Sequence, residues 1–362
     1  MRTARRFGTI AVAVFVIGAA SACDAPAHHS ASTVSTTAPR STAPSTTAPA
    51  TIPWSTLRNP ILSYPDTAAK DVAVRLAGGR WHLFFSSVAN AANGAVHWSI
   101  GTTSSSDLRD WSPLALWPDQ RATEGLASPD IVRAPDGRYV VTYQSNPGDV
   151  GGAAKLYYRT SRDLAHWSDA KPLARALHPG ADDRMIDAAL AYVGTGVVLA
   201  YKYGLADGSE RQAFEIAFSP SGSLDGPWTL VGRPSVSVFG DTLENYEFVR
   251  LDGRWHLVAT SNTLDRPYLA TLDGPPSDPQ SWLHWIDGRV LNIPAEAWNS
   301  APGLSGVTHE VANAIYLFDG RAIDGHEYVF YAGSPELTAF GTWGHAAIGI
   351  ARSTDLVHWS VP

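Results

Sequence analysis

One seven-residue pattern recurs along the chain and limits the folds that the chain can adopt. It reads SSDLRDW at Ser105–Trp111, SRDLAHW at Ser161–Trp167 and STDLVHW at Ser353–Trp359, with GSLDGPW at Gly222–Trp228 as a looser copy. Self-similarity at a regular period is the sequence signature of repeat architectures. The chain is therefore predicted to consist of repeated units that share one core.

Each copy of the pattern closes a unit of short strands rich in β-branched and aromatic residues. The first unit contains DVAVRL, RWHLFFSS and VHWSIGTTSS, joined by Gly-rich turns, and four further units follow the same order. Four short antiparallel strands in each of five units predict an all-β fold, a five-bladed β-propeller. Thirteen tryptophans and 31 glycines, with only 17% charged residues, fit such a turn-rich β protein.

The segment before the repeats has the features of an export signal followed by a tether. Residues 1–22 have a cationic start and an apolar run too short to cross a bilayer, which is typical of a signal peptide. Cys23, the single cysteine of the chain, follows a small-residue stretch that resembles a lipoprotein cleavage box. Residues 23–52 are rich in Ser, Thr and Pro and are predicted to be a disordered tether. We predict an extracellular lipoprotein, anchored to the membrane through Cys23, with a monomeric domain over 53–362; ordinary secretion is the alternative.

The charge balance excludes one class of partner. The formal net charge is −7, and Lys and Arg form no basic stripe along the sequence. Nucleic-acid binding, which needs an electropositive footprint, is therefore not predicted.

Four carboxylates lie at the starts of predicted first strands. Asp71, Asp130, Asp187 and Glu244 are separated by 59, 57 and 57 residues. First strands line the channel of a propeller, so acids at their mouths are predicted to converge on one funnel, where charge repulsion and burial raise the pKa of at least one of them. Glycoside hydrolysis uses such a pairing of carboxyl groups. Glu247 is a rival to Glu244, but we predict that it points away from the funnel.

These motifs resemble those of glycoside hydrolase family 43 and its relative family 62, which are five-bladed propellers acting on arabinosides and xylosides. The resemblance covers all five units and implies three roles. Asp71 of KDVAVRL corresponds to the base, Asp187 of MIDAALAYV to the residue that tunes the pKa of the acid, and Glu244 of ENYEFVRL to the acid. Val72 stands where the families have proline, and Asn245 and Tyr246 stand where they have Gly and Pro.

Two further residues have weaker assignments. Asp130 in SPDIVRAP is predicted either to bind a sugar hydroxyl or to hydrogen-bond a neighbouring turn. His309 in VTHEVANAI corresponds to a histidine that in relatives helps to hold a hydrated ion, so a structural calcium on the propeller axis is one expectation and a histidine with water alone is the other. No cofactor is expected to be required.

The resemblance implies an inverting furanosidase that cleaves α-L-arabinofuranosyl linkages in oligo- or polysaccharides. The alternatives within hydrolases are a β-xylosidase, an endo-arabinanase and a furanosidase of cell-wall arabinogalactan. A non-catalytic sugar-binding lipoprotein is the alternative from another class, because two of the family motifs are altered.

Overall fold

The computed structural model describes residues 52–90, 94–117, 125–146, 153–208, 213–235, 243–261, 266–300, 313–336, 338–340 and 343–362. All of them belong to one unit that spans residues 47–362. Cys23, the signal peptide and most of the tether lie outside the described residues, so those predictions are not tested. Within the described part, no helix is long and apolar enough to cross a membrane.

Short antiparallel strands account for nearly all of the regular structure. Blade one contains β1 (Thr67–Ala77), β2 (Arg80–Asn90), β3 (Val96–Ser105) and β4 (Ala115–Leu116). Blade two contains β5 (Gly125–Arg133), β6 (Tyr139–Asn146), β7 (Leu156–Ser161) and β8 (Lys171–Pro172). Blade three contains β9 (Asp183–Val193), β10 (Gly196–Leu205), β11 (Ala213–Ser219) and β12 (Thr229–Gly232). Blade four contains β13 (Leu243–Leu251), β14 (Arg254–Ser261), β15 (Arg266–Leu272) and β16 (Trp285–Val290). Blade five contains β17 (Asn313–Gly320), β18 (His326–Gly333) and β19 (Ala347–Ser353).

The described helices are single turns. They are the 3₁₀ turns Trp54–Thr56, Pro279–Leu283 and Ala297–Asn299, and the short helix α1 (Arg321–Asp324).

The blades close into a ring through their first strands. Strands β1, β5, β9, β13 and β17 contact one another in that order, and β17 returns to β1. In every blade the strands pair in chain order, so the first strand is innermost and the last is outermost. The predicted five-bladed β-propeller is therefore confirmed.

The chain segment before β1 completes blade five. Leu62 and Ile348 of β19 exchange backbone hydrogen bonds of 3.2 and 2.9 Å, so this segment takes the outer position beside the third strand. The Asn59 amide fixes the contact, since it donates to the carbonyl of Ile350 and accepts from its N–H, both at 2.9 Å. Early and late parts of the sequence thus share one blade, which joins the ring at its seam.

The recurring pattern forms a turn and an interblade contact. In blade one the Asp107 carboxylate accepts hydrogen bonds from the backbone N–H groups of Arg109 and Asp110, both at 3.0 Å. Blades two and five repeat this geometry with their own aspartates. The Trp167 ring packs edge-on against Phe84 of blade one at a centroid distance of 5.4 Å. In these copies the aspartate of the pattern therefore stabilises a turn, and Trp167 forms a contact between blades.

The cores lie between neighbouring blades. Separate clusters of buried side chains join blades two and three, three and four, and four and five, and the largest cluster spans blades one, two and five. Trp81, in the second strand of blade one, is fully buried in the largest cluster. Because each blade is buried on both faces, the inner strands are nearly continuous apolar runs in which a charged residue stands out.

Candidate active site

A register shift interrupts the pairing of all five first strands with their second strands, and in blades one to four a residue at the shift has a positive φ. Asp71, Ser128, Asp187 and Asn245 all have positive φ, between 49° and 56°. At each of these points two residues oppose one on the neighbouring strand, which defines a β-bulge. A bulge turns its side chain away from the regular alternation, and here it directs these side chains to the axis.

The bulges correct the equivalence predicted from the sequence. Asp71 and Asp187 occupy the bulge position, but Ser128 and Asn245 hold it in blades two and four. Glu244 lies one residue before the bulge, and Asp130 lies two residues after it. Counting residues between acids could not show this, because one added residue in a strand reverses the direction of every side chain beyond it.

All of these side chains except that of Glu244 line a cavity on the propeller axis, which we call the axial cavity. It is a narrow cavity of about 20 Å³, which is room for about one water molecule. Its lining includes Asp71, Ser128, Asp130, Asp187, Asn245 and Glu247.

Asp71 is held from several sides. Its side chain is buried, with the residue only 4% exposed. The carboxylate accepts hydrogen bonds from the Ser86 hydroxyl at 2.5 Å and from the Asn245 amide at 3.2 Å. The Lys70 ammonium lies 3.2 Å from the same oxygen that Asn245 contacts. A carboxylate with fixed donors on both oxygens is positioned to accept a proton from a water.

Asp187 lies in the same cavity and is also 4% exposed. Burial and the charge of Glu244 raise the pKa of Asp187 to about 6, with a smaller contribution from Asp71, while the Lys202 ammonium acts in the opposite direction. The structure therefore brings the three predicted catalytic residues within electrostatic reach of one another.

Two serines link the aspartates. The backbone N–H of Ser128 donates to the Ser86 hydroxyl oxygen at 2.8 Å, and that hydroxyl donates to Asp71. The Ser128 side chain hydrogen-bonds the Asp187 carboxylate. Ser86 and Ser128 thus connect Asp71 to Asp187 by hydrogen bonds that cross blades one, two and three.

Glu244 is the most accessible of the three acids, with 27% of its side chain exposed. The ammonium group of Lys202, whose side chain is 6% exposed, lies 2.9 Å from its carboxylate. Lys202 projects from β10 of blade three, so the ion pair crosses to blade four. The sequence signal for this residue is a lysine within the otherwise apolar strand GVVLAYKYGL.

The lysines balance the charge of the site. Asp71 and Glu244 each have an ammonium partner, and the raised pKa of Asp187 lets it carry a proton at mildly acidic pH. The Lys70 ammonium also lies 3.6 Å from the centroid of the Trp343 ring and 5.7 Å from that of Trp98. A site of nearly zero net charge beside aromatic rings suits a neutral polyhydroxylated ligand better than an anion.

Asp130 and Glu247 form a second, deeper pair of acids. Both residues are buried, at 7% and 4% exposure. Burial raises the pKa of Asp130 to about 7, although the backbone N–H groups of Ile131 and Leu190 bond its carboxylate. Burial and the charge of Asp130 raise the pKa of Glu247 well above its usual range. Glu247 accepts the N–H of Leu317 at 2.7 Å. The prediction that Glu247 points away from the axis is wrong, because the bulge at Asn245 reverses its direction.

The bonds of Asp130 favour a structural role for it. Leu190 belongs to β9 of blade three, so the Asp130 carboxylate satisfies a backbone donor of the neighbouring blade. A sugar contact by this residue stays a prediction. His309 lies outside the described residues. Among the described residues no group of three or more His, Cys, Asp or Glu side chains is placed to hold a metal ion, and an axial calcium also stays a prediction.

The raised pKa of Asp130 predicts a pH-dependent stability. Between pH 4 and 7 the folded protein holds a proton that the unfolded chain has lost, so this group lowers stability as pH rises through that window. The difference between the ordinary pKa of 3.8 and the pKa of about 7 in the folded protein corresponds to about 4 kcal/mol of stability. Asp130→Asn, which keeps one acceptor oxygen, should therefore be more stable relative to the parent at pH 8 than at pH 4, as measured by urea unfolding. An equal difference at both pH values would contradict the assignment.

Comparisons with known proteins agree with the architecture. No family model matches the sequence, and no curated protein matches it. A glycosyl hydrolase from Bacteroides ovatus superposes with a TM-score of 0.56 at 13% identity, over 84% of this chain and 94% of that chain. A thermostable family-43 glycoside hydrolase gives 0.55 at 17% identity, over 84% and 96%. An arabinanase of Bacillus subtilis gives 0.53 at 12% identity, over 80% and 96%. The chain therefore has the five-bladed β-propeller fold found in family-43 glycoside hydrolases.

Proposed function

We propose that this protein is a glycoside hydrolase of the family-43 type, an inverting enzyme that cleaves α-L-arabinofuranosyl or related furanosyl linkages. The observation that carries the proposal is that Asp71 and Asp187 line the axial cavity while the charge of the more exposed Glu244 acts on Asp187, so that acids of three blades lie near one another in different environments. Acids whose surroundings differ in this way can take different roles in one reaction.

The proposed reaction divides the roles by environment. Asp71, fixed by Ser86 and Asn245, removes a proton from water as the water attacks the anomeric carbon. Glu244, at the accessible edge of the site, donates a proton to the departing glycosidic oxygen as the bond to the anomeric carbon breaks. The products are a free sugar of inverted configuration and the alcohol of the leaving group.

Asp187 and Lys202 act on Glu244 in opposite directions. A neighbouring negative charge favours the protonated carboxyl group that a general acid needs, whereas a neighbouring ammonium favours the ionised form. We infer that the proton reaches Glu244 when its pair with Lys202 loosens on substrate binding. Asp187 fills its role as a modulator in its ionised form, which predominates above pH 6.

Lys202→Met is expected to displace the acidic limb of the pH–rate profile. The ammonium lowers the pKa of Asp187, so its removal should move the limb from near pH 6 to higher pH by about one unit or more. The measurement is kcat/KM from pH 4 to 9. Lys171→Met, which removes an exposed lysine from β8, is the matched control and should leave the limb in place. A pH–rate profile that is unchanged in Lys202→Met would contradict the proposed roles of Lys202 and Asp187 in the reaction.

The function is tested with aryl glycosides of L-arabinofuranose, D-arabinofuranose, D-galactofuranose and D-xylose. Hydrolysis of a furanoside, with the inverted anomer as the first product in the proton NMR spectrum, supports the proposal. Turnover of the xyloside alone would identify a β-xylosidase. Release of oligosaccharides from arabinan without turnover of aryl furanosides would identify an endo-arabinanase. Sugar binding without turnover across the panel would identify the non-catalytic lipoprotein.

We also propose that the enzyme works outside the cell and is anchored through a lipid on Cys23. The support is the order of signal, cysteine and polar tether in the first 52 residues. Metabolic labelling with a palmitate analogue should mark the parent and not Cys23→Ser, and the variant should appear in the medium. Label retained by Cys23→Ser would contradict the anchor.

A further inference from the structure

A groove lies between blades two and three, at the end of the propeller opposite the axial cavity. Its walls include the β5–β6 turn, the β9–β10 turn and the loop from β11 to β12. Gly194 of the β9–β10 turn lies seven residues beyond Asp187 along β9, which is roughly 20 Å of extended strand. The groove has a volume of about 760 Å³, and its lining shares no residue with that of the axial cavity.

The groove opens where the sequence departs from its own repeat. The blade-three copy of the recurring pattern, Gly222–Trp228, lacks the first serine. In blade one the Trp111 indole donates at 2.7 Å to the carbonyl of Ile61, fifty residues away. In blade three the Trp228 indole donates at 3.0 Å to Leu224 within its own loop. The altered loop thus forms its hydrogen bond locally, and Gly222 and Leu224 of this loop line the groove.

The cations that line the groove are paired. Lys171 lies 3.3 Å from the Asp225 carboxylate, and Arg138 lies 2.6 Å from that of Asp136. The Tyr158 hydroxyl also donates to Asp225, at 2.6 Å. An anionic ligand would have to compete with these carboxylates for every cation in the lining. The groove therefore offers no net attraction to an acidic polymer or a phosphate.

The rest of the lining is aromatic and hydroxylated. Tyr192 is half-buried against the core between blades two and three. It lies close enough to Asp136 and Arg138 for their charges to affect the pKa of its hydroxyl. Thr160, Ser168, Ser221 and Ser223 add hydroxyl groups. A phenol ring beside many fixed donors and acceptors is the chemistry that recognises a sugar, which has apolar faces and a polar edge.

We propose that this groove is a second saccharide-binding site, which holds a short stretch of neutral polysaccharide away from the axial cavity. The inference rests on the proposed function in that it takes a polysaccharide as the polymer the protein meets. Two sites on one rigid domain raise the local concentration of polymer at the axial cavity. Loss of the groove site should therefore affect long substrates and spare small ones.

The test measures binding apart from turnover. Tyr192→Ala and Arg138→Ala are made in the full chain that also carries Asp71→Asn, so that polymer is not degraded. Affinity electrophoresis through gels containing soluble arabinan, arabinogalactan or xylan should show binding at least tenfold weaker in both variants than in the Asp71→Asn parent. Arg254→Ala is the matched control, because Asp252-Gly253-Arg254 repeats the Asp136-Gly137-Arg138 turn in blade four, and it should bind like the parent. Tyr192→Phe keeps the ring and should retain most of the binding, and melting curves establish that each variant is folded.

Two outcomes would overturn the groove site. One is equal polymer binding by the parent, Tyr192→Ala and Arg138→Ala, and the other is a parent that is retarded by none of the three polymers. With Asp71 intact, Tyr192→Ala should hydrolyse aryl furanosides at the parental rate and polymer at least threefold more slowly at low concentration. A parent that hydrolyses no aryl glycoside but binds polymer through Tyr192 would refute the proposed function and leave the groove site standing.

Discussion

Asp71→Asn is expected to lower kcat about 10²- to 10⁴-fold, the range for loss of a general base. The amide cannot accept the proton of the attacking water. It can still accept the Ser86 hydrogen bond, so the local fold should persist. The measurement is kcat on the best aryl furanoside, with circular dichroism and a melting curve for each protein.

Asp110→Asn is the matched control for Asp71→Asn. Asp110 is an exposed aspartate of the same blade, in the loop after β3, and its change should leave kcat within twofold of the parent. Asp71→Asn activity within threefold of the parent in a folded protein would exclude Asp71 as the base and leave the arrangement at the axial cavity without a group to activate water.

Glu244→Gln should give a loss that depends on the leaving group. A general acid matters most when the departing oxygen is a poor leaving group, so natural arabinosides should lose about 10²- to 10⁴-fold. Substrates with a dinitrophenol leaving group need little protonation and should lose less than tenfold. The measurement is kcat/KM across aryl furanosides of graded leaving-group pKa, where the variant should show a much steeper dependence than the parent.

Glu247→Gln is the informative companion, since Glu247 is the rival acid and lines the axial cavity. Its carboxylate accepts the Leu317 N–H, and glutamine can keep that bond. We expect a flat leaving-group dependence in this variant. The reverse pattern, steep for Glu247→Gln and flat for Glu244→Gln, would transfer the acid role to the deeper residue.

Much of the architecture was predictable because each copy of the repeat forms the same local structure from the same residues. Each copy of Ser-x-Asp-Leu-x-x-Trp contains its own turn, in which an aspartate accepts nearby backbone N–H groups, and the same residues form it wherever they occur. The strands between the copies alternate with Gly-rich turns, and no helical period competes. These are local interactions, so the sequence alone indicated the number of blades and their strand order.

The site was only partly predictable. Asp71, Asp187 and Glu244 were predicted from their places in motifs; the structure places Asp187 near the other two, and their catalytic roles stay predictions. Ser86 and Lys202 were missed, because they belong to second strands that touch the first strands of neighbouring blades. A lysine within an apolar strand was the one visible signal, and nothing along the chain named its partner.

The sequence by itself determined that this protein is a five-unit β protein with acids near the mouths of its first strands. Only the tertiary structure decided which way those acids point. A bulge inserts one residue into each first strand, and one residue is enough to turn Glu247 and Asp130 inward and to place Ser128 and Asn245 where acids stand in blades one and three. The pKa values of Asp130, Asp187 and Glu247 likewise follow from burial and from charges on other blades, which exist only once the ring has closed.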